Sequence, residues 1–269
     1  MIITLTTDFG YRDPFVGIMK GVIAGINPNV QVVDLSHGIP PQDIMAAALV
    51  LRHSVPYFRR GAIHVAVVDP GVGSTRHALL IESDGQYFIG PDNGVLSLTL
   101  TDKRPDTVIQ LSNTIYHLQP TSATFHGRDI FSPVAAHLSL GIDPAALGEP
   151  VDNFVCLDWP KLVKSQGRIE GEIVYIDGFG NLFTNIQEQD LAALQRENLS
   201  VILGDITIQG LARSYAAGEN GRCIALINSW GLVEIAFYKD SAQRRCQAKI
   251  GDKVQVSVNK KSNQTEGLL

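Results

Sequence analysis

Five short polar stretches hold most of the groups that could do chemistry: TTDFG (6–10), DLSHG (34–38), DPGVGSTR (69–76), GPDNG (90–94) and TFHGRD (124–129). Between them they carry Asp8, Asp34, His37, Asp69, Arg76, Asp92, Asn93, His126, Arg128 and Asp129. Carboxylates, imidazoles and guanidinium groups in this mixture suit general acid–base work and the holding of a polar ligand. For any single one a plainer role has comparable weight, because Asp and Asn cap helices and fill turns as often as they bind ligands.

Familiar site motifs do not fit. The DFG at 8–10 opens the chain, without the glycine loop and lysine strand that precede it in a kinase. Gly71-Val72-Gly73 lacks the third glycine of a dinucleotide fingerprint and the Gly-Lys-Ser/Thr of a phosphate loop. No GxSxG is present, which excludes a hydrolase elbow. The seven histidines never adopt a metal-ligand spacing such as HExxH, so no metal site is expected. His53, His64 and His137 fall within predicted elements, where packing or surface roles are expected.

The elements that must position these loops follow from periodicity. Ile2–Leu5 reads as a strand ending in TTDFG, and Phe15, Ile18, Met19, Val22, Ile23 and Ile26 recur at helical spacing. Asp13-Pro14 supplies the expected cap and first-turn proline of that helix. Strands follow at 30–35 and 62–68, with a helix at 44–51 capped near Asp43. A hairpin is expected around Asp84-Gly85, and Val134–Leu140 lies on a later helix. Strands alternating with helices predict an α/β domain with a largely parallel sheet and flanking helices. In such sheets ligands bind at the carboxyl ends of the strands, where the five polar stretches fall.

All 13 prolines lie between Pro14 and Pro160, so the chain changes character near residues 158–167. Beyond that point strands at 169–176, 199–203, 222–228, 233–237 and 254–258 have little helix between them. An N-terminal α/β domain over 1–160 and a smaller C-terminal antiparallel β-barrel over 168–269 are therefore expected.

Composition narrows the class. A net charge of −5 argues against a nucleic-acid groove or an anionic membrane surface. Cys156, Cys223 and Cys246 are odd in number and far apart, which excludes a disulfide framework and fits a reducing cytoplasm. The longest apolar run, residues 44–51, is far below the roughly 20 residues of a membrane span. The first ten residues carry no basic leader. A cytoplasmic protein is expected.

Taken in order, TTDFG, VDPGVGSTR (68–76), GPDNG, TFHGRDIFSPVAAHL (124–138), IDGFGNLFTNI (176–186) and NSWGLVEIA (228–236) form a specific set spanning both domains. Together they resemble the S-adenosyl-L-methionine (SAM) hydrolase family, also called SAM hydroxide adenosyltransferases, relatives of bacterial fluorinase and chlorinase. The resemblance implies a homotrimer, with SAM bound between one subunit's N-terminal domain and a neighbour's C-terminal barrel. It implies attack of water or hydroxide on the ribose C5′ carbon, giving adenosine and L-methionine, with SAM as substrate and no cofactor. The marker residues of the hydrolase branch map to Asp69, Arg76 and His126.

In that frame the sulfonium leaves as a neutral thioether, so no general acid is needed for methionine. Asp69 orients the water, Arg76 keeps Asp69 ionised, and His126 serves as general base or completes the hydrogen-bond chain. The same resemblance gives Asp8 the two ribose hydroxyls, Asp177 the methionine ammonium, Phe179 an adenine face and Asn181 the adenine edge. Ser229 falls near the methionine or adenine end. A hairpin turn is the plainer account of Asp177-Gly178, and barrel core that of Phe179. Halogenase relatives tend to carry Arg where this chain has Trp230, which leaves the methionine carboxylate without an assigned partner. At the halide-pocket positions stand Asp69, Val72 and Gly127 instead of hydroxyl-bearing residues, so the alternative of a SAM halogenase is disfavoured. A SAM- or adenosine-binding module with little turnover is the alternative from another class, and the intact Asp69, Arg76 and His126 argue against it.

Overall fold

The structure, a computed structural model, describes residues 1–100, 104–194 and 198–258. Contacts divide the chain into two compact units, residues 1–158 and 159–269.

The first unit contains strands β1 (Ile2–Thr7), β2 (Gln31–Ser36), β3 (Ile63–Val67), β4 (Ala78–Ser83), β5 (Gln86–Pro91), β6 (Thr107–Gln110) and β7 (Glu149–Pro150). Helices α1 (Phe15–Ile26), α2 (Ile44–Ser54) and α3 (Ser132–Ser139) flank them. The sheet runs β2-β1-β3-β5-β4-β6-β7. Its β2-β1-β3-β5 half is parallel, and the pairings of β4 with β5, β4 with β6 and β6 with β7 are antiparallel. The sheet is thus mixed, with the expected parallel half extended by an antiparallel one. The cause is the two-residue Asp84-Gly85 turn, whose φ values of 54° and 70° suit a tight hairpin and reverse the chain between β4 and β5. Ile3, Leu5, Val65 and Val67 pack one face against Met19 and Ile23 of α1 and Val134 and Leu138 of α3. Thr4 and His64, on the other face, are wholly buried and hydrogen-bonded to each other at 2.8 Å. Both faces are therefore covered, which accounts for the near-continuous apolar run of β3. One capping expectation fails: Pro14 itself occupies the N-cap of α1, with no side-chain capping bond, so Asp13 caps nothing there. Asp43 does cap α2, accepting from the Ala46 amide at 2.9 Å.

The second unit contains β8 (Val163–Ser165), β9 (Arg168–Ile176), β10 (Leu182–Gln187), β11 (Leu199–Leu203), β12 (Ile206–Gln209), β13 (Cys223–Ile227), β14 (Leu232–Phe237), the short helix α4 (Ala242–Cys246) and β15 (Lys253–Val258). The order is β12-β11-β15-β9-β10-β14-β13, with β8 added to β9. Each of these neighbours is antiparallel. An Ala212–Leu226 bridge brings the two ends of the sheet together, so the barrel nearly closes on a core that includes Ile173, Ile186, Val201, Val233, Ile235 and Val254. Strand β10 escapes a periodicity reading because Thr184 and Asn185, both polar, are buried in it. The Thr184 hydroxyl donates to the Val233 carbonyl at 2.8 Å, and the Asn185 amide donates to the Pro160 carbonyl at 2.9 Å. No helix among the described residues is long and apolar enough to cross a membrane.

Candidate active site

Strand β3 delivers Asp69 to the carboxyl edge of the first unit's sheet, and the following loop folds back on it. The Val72 amide donates to the Asp69 carbonyl (3.2 Å) and the Ser74 amide to the Gly71 carbonyl (3.0 Å). These turns return Arg76 to Asp69, seven residues away. Arg76 Nε donates to Asp69 Oδ1 at 2.9 Å and Nη2 donates to Oδ2, a bidentate fork. Both side chains are buried, at 5% exposed for Asp69 and 9% for Arg76. The guanidinium also caps the Phe131 ring at 5.5 Å. Gly73 lies at φ 79°, and a Cβ there would meet the Ala123 carbonyl oxygen at 2.4 Å, so only glycine lets this loop approach the next one.

That next loop carries His126, whose Nδ1 lies 2.8 Å from Arg76 Nη2. A guanidinium can only donate, so Nδ1 must accept and the ring proton sits on Nε2. Burial lowers the His126 pKa and the Arg76 charge lowers it further, with Asp69 and Asp129 opposing, which favours the same neutral form. His126 leads into a π-helical turn, Gly127–Phe131, a feature that often marks functional sites. Asp129, 1% exposed, anchors the loop by accepting from the Ser122 amide at 2.8 Å and from Arg128 Nε at 2.6 Å.

Asp8 follows β1 and accepts the Gln42 amide on Oδ2 at 2.8 Å. Asp8, Gln42, Asp69, Val72, His126 and Gly127 share one cleft of about 430 Å³. Phe9, Phe15 and Phe125 form an apolar wall to it, packed edge-on with ring centroids 5.3–5.9 Å apart. Arg76 stands behind Asp69 and His126. The structure thus brings Asp8, Asp69, Arg76 and His126 together.

In the second unit Asp177, Phe179 and Asn181 occupy the turn between β9 and β10 and line a cleft of about 510 Å³ with Tyr215, Tyr238 and Ser241. Asp177 Oδ1 accepts the amides of Phe179 (2.9 Å) and Asn181 (2.8 Å), and Oδ2 accepts Asn181 Nδ2 (2.9 Å). The carboxylate therefore builds the turn and still faces the cleft. Phe179 is 81% exposed, so it is not barrel core. Asn181 is buried and spends one amide hydrogen on Asp177, which leaves its carbonyl oxygen and second hydrogen for a ligand. Gly180, at φ 83°, would drive a Cβ to 2.1 Å from Ser241 Oγ. Ser229 is exposed on the 228–231 turn and does not line this cleft. Trp230 packs on Tyr175 (5.1 Å) and Phe183 (5.0 Å), an aromatic cluster instead of a polar clamp.

Gln42, Tyr215, Tyr238 and Glu234 are the site neighbours that motif reading misses. Glu234 is wholly buried beside the cleft, and burial pushes its carboxyl above the usual range; Tyr215 and Asn228 oppose the shift and the Asp177 charge adds to it. A lone glutamate in the alternating strand VEIAF carries no signal of this. Among the described residues no group of three or more His, Cys, Asp or Glu side chains could hold a metal ion.

Residues 3–148 match the SAM hydroxide adenosyltransferase N-terminal domain, and residues 171–255 match its C-terminal domain. The chain is 36% identical to an (R)-S-adenosyl-L-methionine hydrolase of Thermus thermophilus, over 91% of this chain and 95% of that one. It is 34% identical to a protein of the same name from Methanocaldococcus jannaschii, over 95% of each. A fluorinase of Actinopolyspora mzabensis is more distant, at 25% identity over 95% of this chain and 97% of that one. The crystal structure of an uncharacterised conserved protein from Thermotoga maritima superposes with a TM-score of 0.89 at 31% identity, covering 96% of this chain and all of that one.

Proposed function

The chain belongs to the SAM hydroxide adenosyltransferase family, and from that premise we propose that it hydrolyses SAM to adenosine and L-methionine. The observation that carries the reading is the Asp69–Arg76–His126 array, whose Asp69 and His126 line the same cleft as Asp8.

Water attacks C5′ as the C5′–S bond breaks, the electron pair leaves with sulfur, and methionine departs as a neutral thioether. The sulfonium charge reappears as one proton, so each turnover releases adenosine, methionine and H⁺. Asp69, fixed by the Arg76 fork, orients the water through its remaining lone pairs and draws the departing proton along that hydrogen bond. His126 donates from Nε2 to the water oxygen and fixes the third direction. It is not the base, because its one accepting nitrogen is already held by Arg76. Placement of this kind supplies up to about 7–11 kcal/mol of barrier reduction. An anionic Asp69 repels a halide, and Val72 and Gly127 offer it no hydroxyl donor.

Asp8 takes the ribose hydroxyls, Phe179 stacks on adenine, Asn181 meets the adenine edge, and Asp177 pairs with the methionine ammonium. The exposed Ser229 hydroxyl serves the methionine or adenine end. The enzyme works as a homotrimer whose sites combine the first unit of one subunit with the second unit of a neighbour. It needs no cofactor, since SAM brings its own leaving group. Three free cysteines support a cytoplasmic setting. Chromatography of SAM incubated with purified protein tests the reading: adenosine and methionine in equal amounts are expected, and halogenated adenosine or unchanged SAM overturns it.

A further inference from the structure

The loop that presents Asp8 is fastened from beneath by a histidine outside the reacting array. His37 is 2% exposed, and its Nδ1 lies 2.8 Å from Thr7 Oγ1. Its own carbonyl accepts the Gly10 amide at 2.8 Å. One residue thus holds both ends of the four-residue loop 7–10, with Asp8 between them. On the far side of the ring, His37 Nε2 stands 3.1 Å from Asp34 Oδ1, while Asp34 Oδ2 accepts Lys20 Nζ at 2.6 Å and the Tyr11 hydroxyl at 3.0 Å. Burial would raise Asp34, but Lys20, His37 and Tyr11 together hold its carboxyl below the usual range.

The polarity of the chain is the one in which each donor meets an acceptor. The Phe9 amide donates to one lone pair of Thr7 Oγ1 at 3.2 Å, and a hydroxyl proton directed at Nδ1 completes the contact on that side of the ring. The remaining ring proton then faces the Asp34 carboxylate, the arrangement that sets no two lone pairs against each other. The resulting Asp–His–Thr sequence resembles a nucleophilic triad, yet Thr7 is wholly buried and reaches no ligand. Its work is therefore positional. From the same segment after β2, Gln42 sits at φ 66°, a left-handed conformation unusual for a residue with a side chain, and aims its amide at Asp8 Oδ2.

We propose that His37 is a positioning residue for the nucleoside diol: through Thr7 and Gly10 it fixes the loop on which Asp8 receives the two ribose hydroxyls. The proposal rests on the reading that Asp8 binds that diol. It makes discrimination between ribose and a sugar without hydroxyls depend on a buried chain that never touches the ligand.

Thr7→Val keeps the side chain's shape and removes the hydroxyl, and Thr7→Ser restores it. Calorimetric affinities of the full-length protein for adenosine and for 2′,3′-dideoxyadenosine give the readout. Wild type is expected to prefer adenosine by about tenfold or more, the scale of hydrogen bonds to a charged group. Thr7→Val should shrink that preference to about threefold or less while dideoxyadenosine binds as before, and Thr7→Ser should restore it. Asp34→Asn, a partly exposed site, should move the preference the same way and serves where Thr7→Val does not fold. A wild type without any preference overturns the assignment of Asp8 and this proposal with it. A wild type that prefers adenosine, with variants that keep the preference or weaken both nucleosides equally, overturns this proposal alone.

Discussion

All seven histidines fall in residues 1–158 and none in residues 159–269, and the two units treat charge in correspondingly different ways. The first gathers ionisable groups in contact with one another: Asp69 with Arg76, Arg76 with His126, Asp129 with Arg128, and Asp34 with Lys20 and His37. The second lines its cleft with Phe179, Tyr215, Phe237 and Tyr238 beside the self-bonded turn at Asp177, and its other charged groups, Lys239, Asp240 and Arg244, stand at the more open side of the lining. Parallel strand ends make the first arrangement cheap, because several loops converge on one edge and each can bring one charged group. A barrel turn brings a few neighbours only, but it can hold a ring in the open. On the proposed function, the contrast separates making a reaction happen from recognising what reacts.

If the two kinds of cleft complete each other across subunits, Asp8→Ala and Asp177→Ala should each abolish activity alone. Mixed, unfolded and reassembled together, the pair should recover a measurable fraction, because some interfaces then hold two intact halves. No recovery, or a dimeric mass by light scattering, breaks the shared-site proposal. Asp69→Asn should lower single-turnover rates by about 10²-fold or more per folded molecule, with SAM affinity changed little. Near-native turnover would move the chemistry elsewhere. Phe179→Ala, by contrast, should weaken SAM binding about threefold to tenfold and leave turnover at saturation unchanged, with the same melting temperature because the ring is exposed. A drop in turnover instead would blur the division of labour.

The smallest effect has opposite signs in the two units. Burial depresses His53 and His64 to about 4, against about 6.5 in the unfolded chain. Their contribution to the stability of the first unit is therefore complete above pH 6.5 and falls as pH drops toward 4, where the unfolded chain takes up protons that the folded unit refuses. Glu234 is raised, so its contribution to the second unit is complete below the unfolded carboxyl pKa and fades as pH rises through the folded value. Calorimetric melting from pH 4 to pH 8 should show a weaker loss of stability toward low pH in His64→Gln and a weaker loss as pH rises above the unfolded carboxyl pKa in Glu234→Gln. Equal slopes in both variants and wild type would remove the distinction.

The loops, the strands of the parallel half and the barrel strands rich in Val and Ile are legible in the sequence, because burial on one or both faces writes itself into apolar runs. The site residues of the first unit are legible for another reason: they sit in glycine-bearing loops at strand ends. What stays hidden depends on partners far along the chain. Strand β10 conceals itself because Thr184 and Asn185 are buried by bonds to Val233 and Pro160. Gln42 looks like ordinary loop, since a left-handed φ has no side-chain signature outside Gly and Asn. That Arg76 would occupy the accepting nitrogen of His126 is a matter of 2.8 Å between residues 50 positions apart. Asp13 looked like a cap and is not one, because Pro14 takes the capping place itself.

The placing of Trp230 also gives the molecule an optical handle. Residues 1–158 contain no tryptophan; the protein's two are Trp159 and Trp230, both in the second unit. Wedged between Tyr175 and Phe183, Trp230 is a half-shielded fluorophore whose neighbour in the chain is the exposed Ser229. Under excitation too red for tyrosine, emission reports the barrel while the first unit stays dark. A shift in wavelength or anisotropy then follows events in the second unit without any added label.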